Sequence, residues 1–372
     1  MNVLILATDV FKKGGIQRYT RYQIQALKEN PYLDKVFVFS ILNKNPKNIF
    51  EEEIEIDYIA GGTSFFKKII FIIKVLFFCK KNNINLIICN HISLGQVAFF
   101  IKKISGISYT VNVYGLEIWS GLRRFEILGL KNADGVIGVS NFTLNYIEKE
   151  LNIKLKKRFL LYNCIDIKRF IPFEVPNIVY KKYGIPKDKK IIITVGRLDR
   201  DKGQETIIKS LKMFSDDIFY IIVGDGINRN KLERLAKSEG VTNKVVFTGR
   251  VPEEYLVSFY NIADVLVLIG KFAKGEGEGF GFALIEASAC GKPVIGGNED
   301  GSIEAVLDGK TGFSLSPDDF EGITRKIKIL IDKPRRAKKM GMDGRKYVEE
   351  NFSYKTFLKK QSDIIKKVLF GN

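Results

Sequence analysis

The chain has 372 residues, of which 45% are hydrophobic and 27% are charged, and its formal net charge is +18. Its length exceeds what one hydrophobic core supports and suits two domains, while its apolar content excludes a disordered chain. One histidine excludes a histidine-rich metal site, and four cysteines without C-x-x-C spacing indicate small core residues of a reducing compartment.

Apolar strand-like runs alternate with longer amphipathic stretches through both halves of the chain. The predicted strands are Val3–Thr8, Val36–Ile41, Leu86–Cys89, Tyr109–Val113, Gly135–Val139, Phe159–Tyr162, Ile191–Gly196, Phe219–Val223, Val245–Thr248, Val265–Ile269, Pro293–Gly296 and Gly312–Leu315. This alternation predicts an α/β protein with parallel sheets and helices on both sheet faces. The first run is short and leads directly into Asp9, so it indicates a buried strand rather than a signal peptide.

Two doubly wound domains are predicted, with residues 1–168 in the first and 169–353 in the second. Near their boundary, Pro172, Pro176 and Pro186 interrupt charged sequence, which is typical of a linker.

Gly14 and Gly15 follow the first strand and precede an amphipathic stretch. The pair suits a loop that approaches a diphosphate, but an ordinary strand-to-helix turn needs glycine as often. The G-x-G-x-x-G pattern is missing from this loop, which argues against a classical dinucleotide-binding oxidoreductase.

Residues 65–81 mix bulky apolar side chains with lysines, and residues 1–170 carry 25 Lys and Arg against 14 Asp and Glu. The stretch is too short and too charged to span a membrane. It predicts either a basic amphipathic helix that settles on an anionic membrane surface or a core helix with solvated lysine ends.

Three side chains after predicted strands of the first domain are candidates for an acceptor side: His91, Tyr114 and Glu117. Ligands of open α/β sheets bind at the carboxyl ends of the strands. For His91, a satisfied structural histidine is an equally good interpretation.

Arg197 and Lys202 follow the strand that ends at Gly196. Two cations at this edge would neutralise a diphosphate and the charge that grows on a departing nucleotide. The alternative is a solvated basic loop whose cations pair with Asp199 and Asp201.

Two carboxylates, Glu278 and Glu286, stand eight residues apart, and Gly279 and Gly281 follow the first of them. The residues from Ala283 onward are small or apolar helix formers, so the pattern predicts a glycine loop that opens a helix. A helix N-terminus attracts phosphate, and carboxylates accept hydrogen bonds from sugar hydroxyls.

These motifs together resemble the retaining glycosyltransferases of the GT-B fold, the "glycosyl transferases group 1" family (glycosyltransferase family 4). The resemblance covers almost the whole chain. It rests on Gly14-Gly15, Tyr114-Gly115-Leu116-Glu117, Gly138-Val139-Ser140, Val195-Gly196-Arg197-Leu198, Lys202-Gly203, Val223-Gly224-Asp225-Gly226, Phe247-Thr248-Gly249, the E-x7-E segment through Ile295, and Glu304-Ala305-Val306 to Gly312. It implies two Rossmann-like domains that face each other across a cleft, with the last helix, 354–372, crossing back to the first domain.

The resemblance also implies roles for the candidate residues. The implied catalytic residues are Glu278, Arg197 and Lys202. The implied donor-binding set is Gly14, Gly15, Arg197, Lys202, Arg250, Glu278, Gly279, Phe280, Gly281, Phe282 and Glu286, with Glu286 on the ribose and Glu278 on the sugar hydroxyls. No metal or other cofactor is implied, because the two cations supply the positive charge.

The chain departs from the family pattern at three places. Tyr114-Gly115 stands where His-Gly is common, Ile269-Gly270-Lys271 replaces a usual Pro-Ser, and Asp300-Gly301-Ser302 stands where Gly-Gly-Ser is usual. Tyrosine does not easily carry a positive charge, so the histidine's role is not carried over to Tyr114.

The sequence therefore predicts a retaining hexosyltransferase that moves a sugar from a UDP- or GDP-linked donor to a saccharide or lipid-linked saccharide, in assembly of a bacterial surface polysaccharide or glycolipid. A cytoplasmic location, peripheral on the inner membrane, is expected, and the oligomeric state is not predicted. The alternatives are another GT-B enzyme, such as a sugar-nucleotide epimerase or a phosphorylase, and, more distantly, a nucleic-acid-binding protein that would explain the positive charge.

Overall fold

The computed structural model describes residues 1–12, 14–43, 54–60, 62, 64–199, 202–272 and 277–371, and only the backbone of Phe65. The strands are β1 (Asn2–Ala7), β2 (Lys35–Ser40), β3 (Tyr58–Ile59), β4 (Ile84–Cys89), β5 (Ser108–Val113), β6 (Gly135–Gly138), β7 (Arg158–Leu160), β8 (Lys190–Val195), β9 (Ile218–Val223), β10 (Val245–Gly249), β11 (Val265–Leu268), β12 (Val294–Gly297) and β13 (Gly312–Leu315). The helices are α1 (Gly15–Lys28), α2 (Phe65–Lys81), α3 (Ile92–Ser105), α4 (Leu116–Trp119), α5 (Arg124–Asn132), α6 (Asn141–Lys149), α7 (Asn177–Tyr183), α8 (Gln204–Ser210), α9 (Arg229–Ser238), α10 (Glu253–Ile262), α11 (Phe282–Ala289), α12 (Phe320–Asp332), α13 (Pro334–Asn351) and α14 (Tyr354–Leu369).

The chain forms two compact units: residues 1–164 with 354–372, and residues 165–353. Residues 165–168, expected in the first domain, group with the second unit. The cause is pairing with the end of that unit, since the Ile165 N–H donates to the Phe352 carbonyl at 3.0 Å and Ile165 bridges to Ser353.

In the first unit, the strands form a parallel sheet in the order β3-β2-β1-β4-β5-β6-β7. Successive strands are added on one side of β1 up to β3 and on its other side from β4 onward, so the strand order reverses between β1 and β4. Doubly wound sheets bind ligands at such a switch point. Ile5, Val38 and Ile88 form the core with Ile24 of α1 and Ile365 of α14. The last helix thus completes the core of the first unit.

In the second unit, the strands form a parallel sheet in the order β10-β9-β8-β11-β12-β13. Its switch point lies between β8 and β11. Ile192, Tyr220 and Val267 pack against Ile207 of α8 and Ile327 of α12. Buried parallel strands with helices on both faces confirm the predicted fold class of two Rossmann-like α/β units.

Candidate active site

The carboxyl end of β8 carries the first predicted cation, Arg197. Its guanidinium lies 2.9 Å from Asp199 Oδ2, and its side chain is two-thirds exposed. The pairing with Asp199 that the alternative interpretation required is therefore present, while Asp201 lies outside the described residues. An exposed ion pair of this kind contributes little to stability, so the guanidinium is readily available to an anion.

The second predicted cation, Lys202, lies beside the first predicted carboxylate. Lys202 Nζ is 2.6 Å from Glu278 Oε1, and the two side chains are only 13% and 20% exposed. Gly196, with φ +158°, makes room for the ammonium, because a Cβ there would lie 3.0 Å from Nζ. The structure thus brings together two residues that are 76 positions apart in the chain.

The backbone of Glu278 is fixed by Asp300, a residue to which the sequence interpretation gave no role. The Glu278 N–H donates to Asp300 Oδ2 at 2.7 Å, and the Gly301 N–H donates to the Glu278 carbonyl at 2.9 Å. Ser302 donates from its N–H and its hydroxyl to Asp300 Oδ1, at 3.0 and 2.5 Å. The Asp300 carboxylate therefore anchors the start of the glycine loop.

Asp300 is completely buried. Burial raises the pKa of its carboxyl to about 6, and the Glu278 charge adds to this rise; the hydrogen bonds from Ser302 and the Glu278 N–H oppose it. Gly301 must be glycine, because a Cβ there would lie 2.1 Å from the Gly279 carbonyl oxygen.

The glycine loop ends at the N-terminus of α11. Gly281, with φ +85°, is the residue before the helix and adopts the left-handed conformation that favours glycine. Phe280 is buried and packs edge-to-face on Phe352, with ring centroids 5.1 Å apart, while Phe282 is half-buried as the first helical residue. The Phe280 ring is therefore part of the core, and only the Phe280 backbone belongs to the glycine loop.

Glu286 lies on the second turn of α11 and is buried, with Tyr260 Oη donating to its Oε2 at 2.5 Å. Arg250 follows β10, two strands away from β8 in the sheet, and is exposed. The Lys202–Glu278 pair thus immediately precedes the glycine loop that opens α11, and Arg250 follows a strand two places away from β8 in the same sheet. The donor-binding role of these residues stays a prediction.

In the first unit, Gly14 precedes α1 and Gly15 is its first residue. Gly14 has φ 165°, an extended conformation that any residue adopts, so the helix start alone does not require glycine there. The role of both glycines in donor binding stays a prediction.

His91 caps α3, since its Nδ1 accepts the Ser93 N–H at 3.2 Å and lies 2.8 Å from the Ser93 hydroxyl. Burial lowers the pKa of the imidazole, and the charges of Glu117 and Glu126 oppose that shift. These contacts match the structural interpretation of this histidine.

Tyr114 directs its hydroxyl into the core, where it donates to Asn90 Oδ1. Its backbone N–H donates to Glu117 Oε1 at 2.6 Å. Burial raises the pKa of the Glu117 carboxyl, and its Oε2 has no hydrogen-bond partner among the described residues. Glu117 therefore has hydrogen-bonding capacity that the described residues do not use.

A buried polar network surrounds the Tyr114 hydroxyl. Asn90 Nδ2 and Asn112 Nδ2 donate to Gln23 Oε1 at 2.8 and 2.6 Å, and Gln23 Nε2 donates to Gln361 Oε1 at 3.0 Å. The network links α14 to α1, β4 and β5. Apolar periodicity predicts none of these amides, because they lie within or directly after strands and helices whose pattern is that of ordinary core elements.

No group of three or more His, Cys, Asp or Glu side chains within the described ranges is arranged to hold a metal ion.

Two family models match the chain. The model described as "Glycosyl transferases group 1" matches residues 178–347, and the model described as "Glycosyltransferase Family 4" matches residues 13–169. Together they cover most of both units.

Among curated proteins, the chain is 36% identical over 199 residues to a GDP-mannose-dependent alpha-(1-6)-phosphatidylinositol monomannoside mannosyltransferase of Mycolicibacterium smegmatis, covering 52% of each chain. It is 29% identical to the capsular polysaccharide biosynthesis glycosyltransferase CapM of Staphylococcus aureus, covering 72% of this chain and 74% of CapM. The chain thus spans about half the length of the mannosyltransferase.

Among solved structures, sucrose-phosphate synthase from Thermosynechococcus elongatus superposes with a TM-score of 0.81 at 22% identity, covering 100% of both chains. Anabaena HepE in complex with UDP gives a TM-score of 0.81 at 18% identity, covering 99% of this chain and 100% of HepE. Likeness at this level of identity establishes the shared fold.

Proposed function

Because the chain belongs to the glycosyl transferases group 1 family, with the GT-B fold, we propose that it is a retaining glycosyltransferase that uses a nucleotide-diphosphate sugar. The observation that carries this proposal is the half-buried Lys202–Glu278 pair beside the α11 glycine loop. A cation for phosphate and a carboxylate for sugar hydroxyls stand here within one hydrogen bond of each other.

The ion pair also supports an order of events. Without donor, the Lys202 ammonium is neutralised by Glu278 at 2.6 Å. A diphosphate carries more charge than one carboxylate, so it displaces Glu278 from Lys202, while Arg197 leaves Asp199 for the same anion. Glu278 is then free to accept hydrogen bonds from the sugar. Glu286, oriented by the Tyr260 hydroxyl, accepts from the ribose.

The reaction proposed at this site is front-face displacement. The acceptor hydroxyl oxygen bonds to the anomeric carbon, the bond from that carbon to the phosphate oxygen breaks, and the leaving phosphate takes the hydroxyl proton. Arg197, Lys202 and the helix N-terminus stabilise the charge on the departing diphosphate. The sugar keeps its anomeric configuration. Arg197 and Lys202 supply the positive charge that balances the departing diphosphate.

For the substrates, we propose a hexose carried on UDP or GDP and an acceptor that is a saccharide or a lipid-linked saccharide. The relatives named for GDP-mannose and for capsular polysaccharide biosynthesis support this range. The second unit binds the donor, and the first unit, through Glu117, binds the acceptor.

The surface of α2 supports an anionic membrane as a partner. Five exposed apolar side chains follow one another at helical spacing on α2: Phe66, Ile69, Ile70, Ile73 and Phe77. Lys67, Lys74 and Lys81 flank this stripe at intervals of seven residues, while Phe71 and Val75 face the core. An apolar face bordered by lysines suits the surface of an anionic bilayer.

No helix in the described part of the chain is both long and apolar enough to cross a bilayer. All four cysteines are free and buried, which suits a reducing compartment. We therefore place the protein in the cytoplasm, peripheral on the cytoplasmic face of the membrane.

A thermal-shift panel of UDP-, GDP- and ADP-sugars tests the proposal. One donor is expected to raise the melting temperature of the wild type by about 5 °C at saturation. Arg197→Ala and Lys202→Ala are expected to abolish the rise, and Lys339→Ala, which breaks an exposed pair with Asp343 on α13 of the same unit, to retain it. A rise that survives both substitutions would misplace the site.

The rival activities give different products. An epimerase would convert the sugar nucleotide without any acceptor, and a phosphorylase would cleave a glycoside only with inorganic phosphate. Salt-sensitive duplex binding without any donor response would favour a nucleic-acid-binding protein.

A further inference from the structure

A cavity of about 510 Å³ lies within the first unit, between α2, α3 and the start of α5. Its size falls in the range of roughly 300–1,000 Å³ that small-molecule sites occupy. Thr8, Ile41 and His91 line it just after β1, β2 and β4, so it opens at the carboxyl edge of the sheet, beside the switch point.

The walls of the cavity are mainly apolar. They include Ile41, Leu42, Ile72, Leu94, Val97 and Phe100. Phe100 is 40% exposed and its ring centroid lies 5.9 Å from that of Phe125, which is also half exposed. An apolar surface of this extent within one cavity favours a hydrocarbon group over a sugar or a peptide backbone, which would leave polar groups unpaired there.

The rim of the cavity is positively charged. Lys68 and Arg123 line it, together with one acid, Glu126. Glu126 already caps α5 by accepting the Arg123 N–H at 2.9 Å, and burial disfavours the charged form of His91 by lowering its pKa. The charged side chains that line the cavity are therefore two cations and one carboxylate that is already hydrogen-bonded. Their net positive charge complements an anionic group on a ligand.

Helix α2 contributes residues both to the cavity and to the exposed stripe. Lys68 and Ile72 line the cavity from this helix, and Ile69 and Ile73, the next residues, belong to the stripe. Because Ile69 of the stripe and Ile72 of the cavity are three residues apart, they are neighbours on the helix surface, so a hydrocarbon chain that lies against the stripe comes close to the cavity.

We infer that this cavity binds one hydrocarbon chain of an amphiphilic acceptor whose anionic linker sits at Lys68 and Arg123. This assigns the acceptor of the proposed transfer to the lipid-linked class, and it rests on that proposed function. The sugar-bearing end then lies toward His91 at the carboxyl edge of the sheet.

Isothermal titration of the donor-free full chain with decyl phosphate, below the concentration at which it forms micelles, tests the inference. We expect saturable binding of one molecule per chain. Hexyl phosphate should bind roughly 200-fold more weakly, because it lacks four methylenes and each buried methylene contributes about 0.8 kcal/mol. Decyl maltoside, which lacks the anionic group, should bind at least tenfold more weakly than decyl phosphate.

Four variants locate the binding. Val97→Trp fills the cavity and should abolish binding, with Leu42→Trp, at a partly exposed position, as the substitute if Val97→Trp fails to fold. Arg123→Gln should weaken binding about tenfold, whereas its neighbour Arg124→Gln should not. Phe77→Ser removes part of the α2 stripe outside the cavity and should leave titration unchanged.

The inference is overturned if decyl phosphate does not saturate, if the cavity-filling variants bind as the wild type does, or if Phe77→Ser removes binding. Sugar transfer to a water-soluble acceptor by a protein that binds no decyl phosphate would overturn the inference and leave the proposed function intact. Decyl phosphate binding without transfer from any nucleotide sugar would overturn the proposed function and, with it, the acceptor role.

Discussion

Asp300 makes the site sensitive to pH. Its carboxyl is fully buried, and its pKa is raised from 3.8 to about 6. The folded protein therefore holds this proton more tightly than the unfolded chain does. The stabilisation is fully present below pH 4, declines as the pH rises through 6, and is absent above it. At about 1.36 kcal/mol per pKa unit, the shift corresponds to about 3 kcal/mol between pH 4 and pH 7.

Asp300→Asn removes this titration because the amide stays neutral. The amide oxygen keeps the Glu278 N–H bond, while the NH2 group opposes the Ser302 N–H. We expect the difference in unfolding free energy between variant and wild type to shift in favour of the variant by about 3 kcal/mol as the pH rises from 4 to 7.

Two measurements check this prediction. Urea unfolding of both proteins at several pH values gives the stability difference, and a titration of 13C-labelled aspartate carboxyls by NMR gives the pKa, with Asp300→Asn assigning the resonance. Asp319→Asn, which removes another capping aspartate in the same unit, is the matched control. A pKa below 4 for Asp300, or a stability difference that does not change with pH, would refute the reasoning.

Three further substitutions separate the roles of neighbouring groups. Glu278→Gln should lower kcat about 100-fold in initial-rate assays, because the sugar loses a charged acceptor while the loop backbone stays anchored. Gly301→Ala should destabilise the protein by about 1–3 kcal/mol in thermal unfolding, since its Cβ would meet the Gly279 carbonyl oxygen at 2.1 Å. Tyr114→Phe should cost about 1 kcal/mol of stability and leave kcat within threefold of wild type, because its hydroxyl bonds Asn90 inside the core.

Each of these variants has a control or an opposing outcome. Gly344→Ala is the control for Gly301→Ala, since a Cβ there would make an ordinary contact of 3.4 Å with Ser288. A large fall in kcat for Tyr114→Phe with unchanged melting temperature would mean that the hydroxyl acts on the substrate. An unchanged kcat for Glu278→Gln would exclude the carboxylate from sugar recognition.

The architecture was largely predictable from the sequence, because buried parallel strands are continuous apolar runs. All twelve predicted strands are present, and none of their ends differs from the prediction by more than two residues. The two-residue strand Tyr58–Ile59 was missed because it is too short to give a periodic signal. The Ile165–Ser353 bridge could not be predicted from the sequence either, because two residues that pair across 188 positions leave no local sequence pattern.

The sequence placed Lys202 after a strand and Glu278 before a helix of the same domain, and the structure shows that the two side chains are in contact. Their roles in donor binding stay predictions. Asp300 was visible only as a departure from Gly-Gly-Ser, because its partners depend on side-chain direction. Tyr114 shows the same limit, since its position suggested a ligand-facing hydroxyl and the buried amide Asn90 turned it inward.

The Lys202–Glu278 pair is tested most directly by calorimetric titration of wild type, Lys202→Ala and Glu278→Gln. The titrants are the donor selected by the thermal-shift panel and its nucleoside diphosphate alone. Lys202→Ala should lose affinity for both. Glu278→Gln should bind the diphosphate at least as tightly as wild type, because Lys202 loses its competing partner, and should lose the extra affinity that the sugar supplies. Undiminished donor binding by Lys202→Ala, or equal losses for both titrants in Glu278→Gln, would contradict the account.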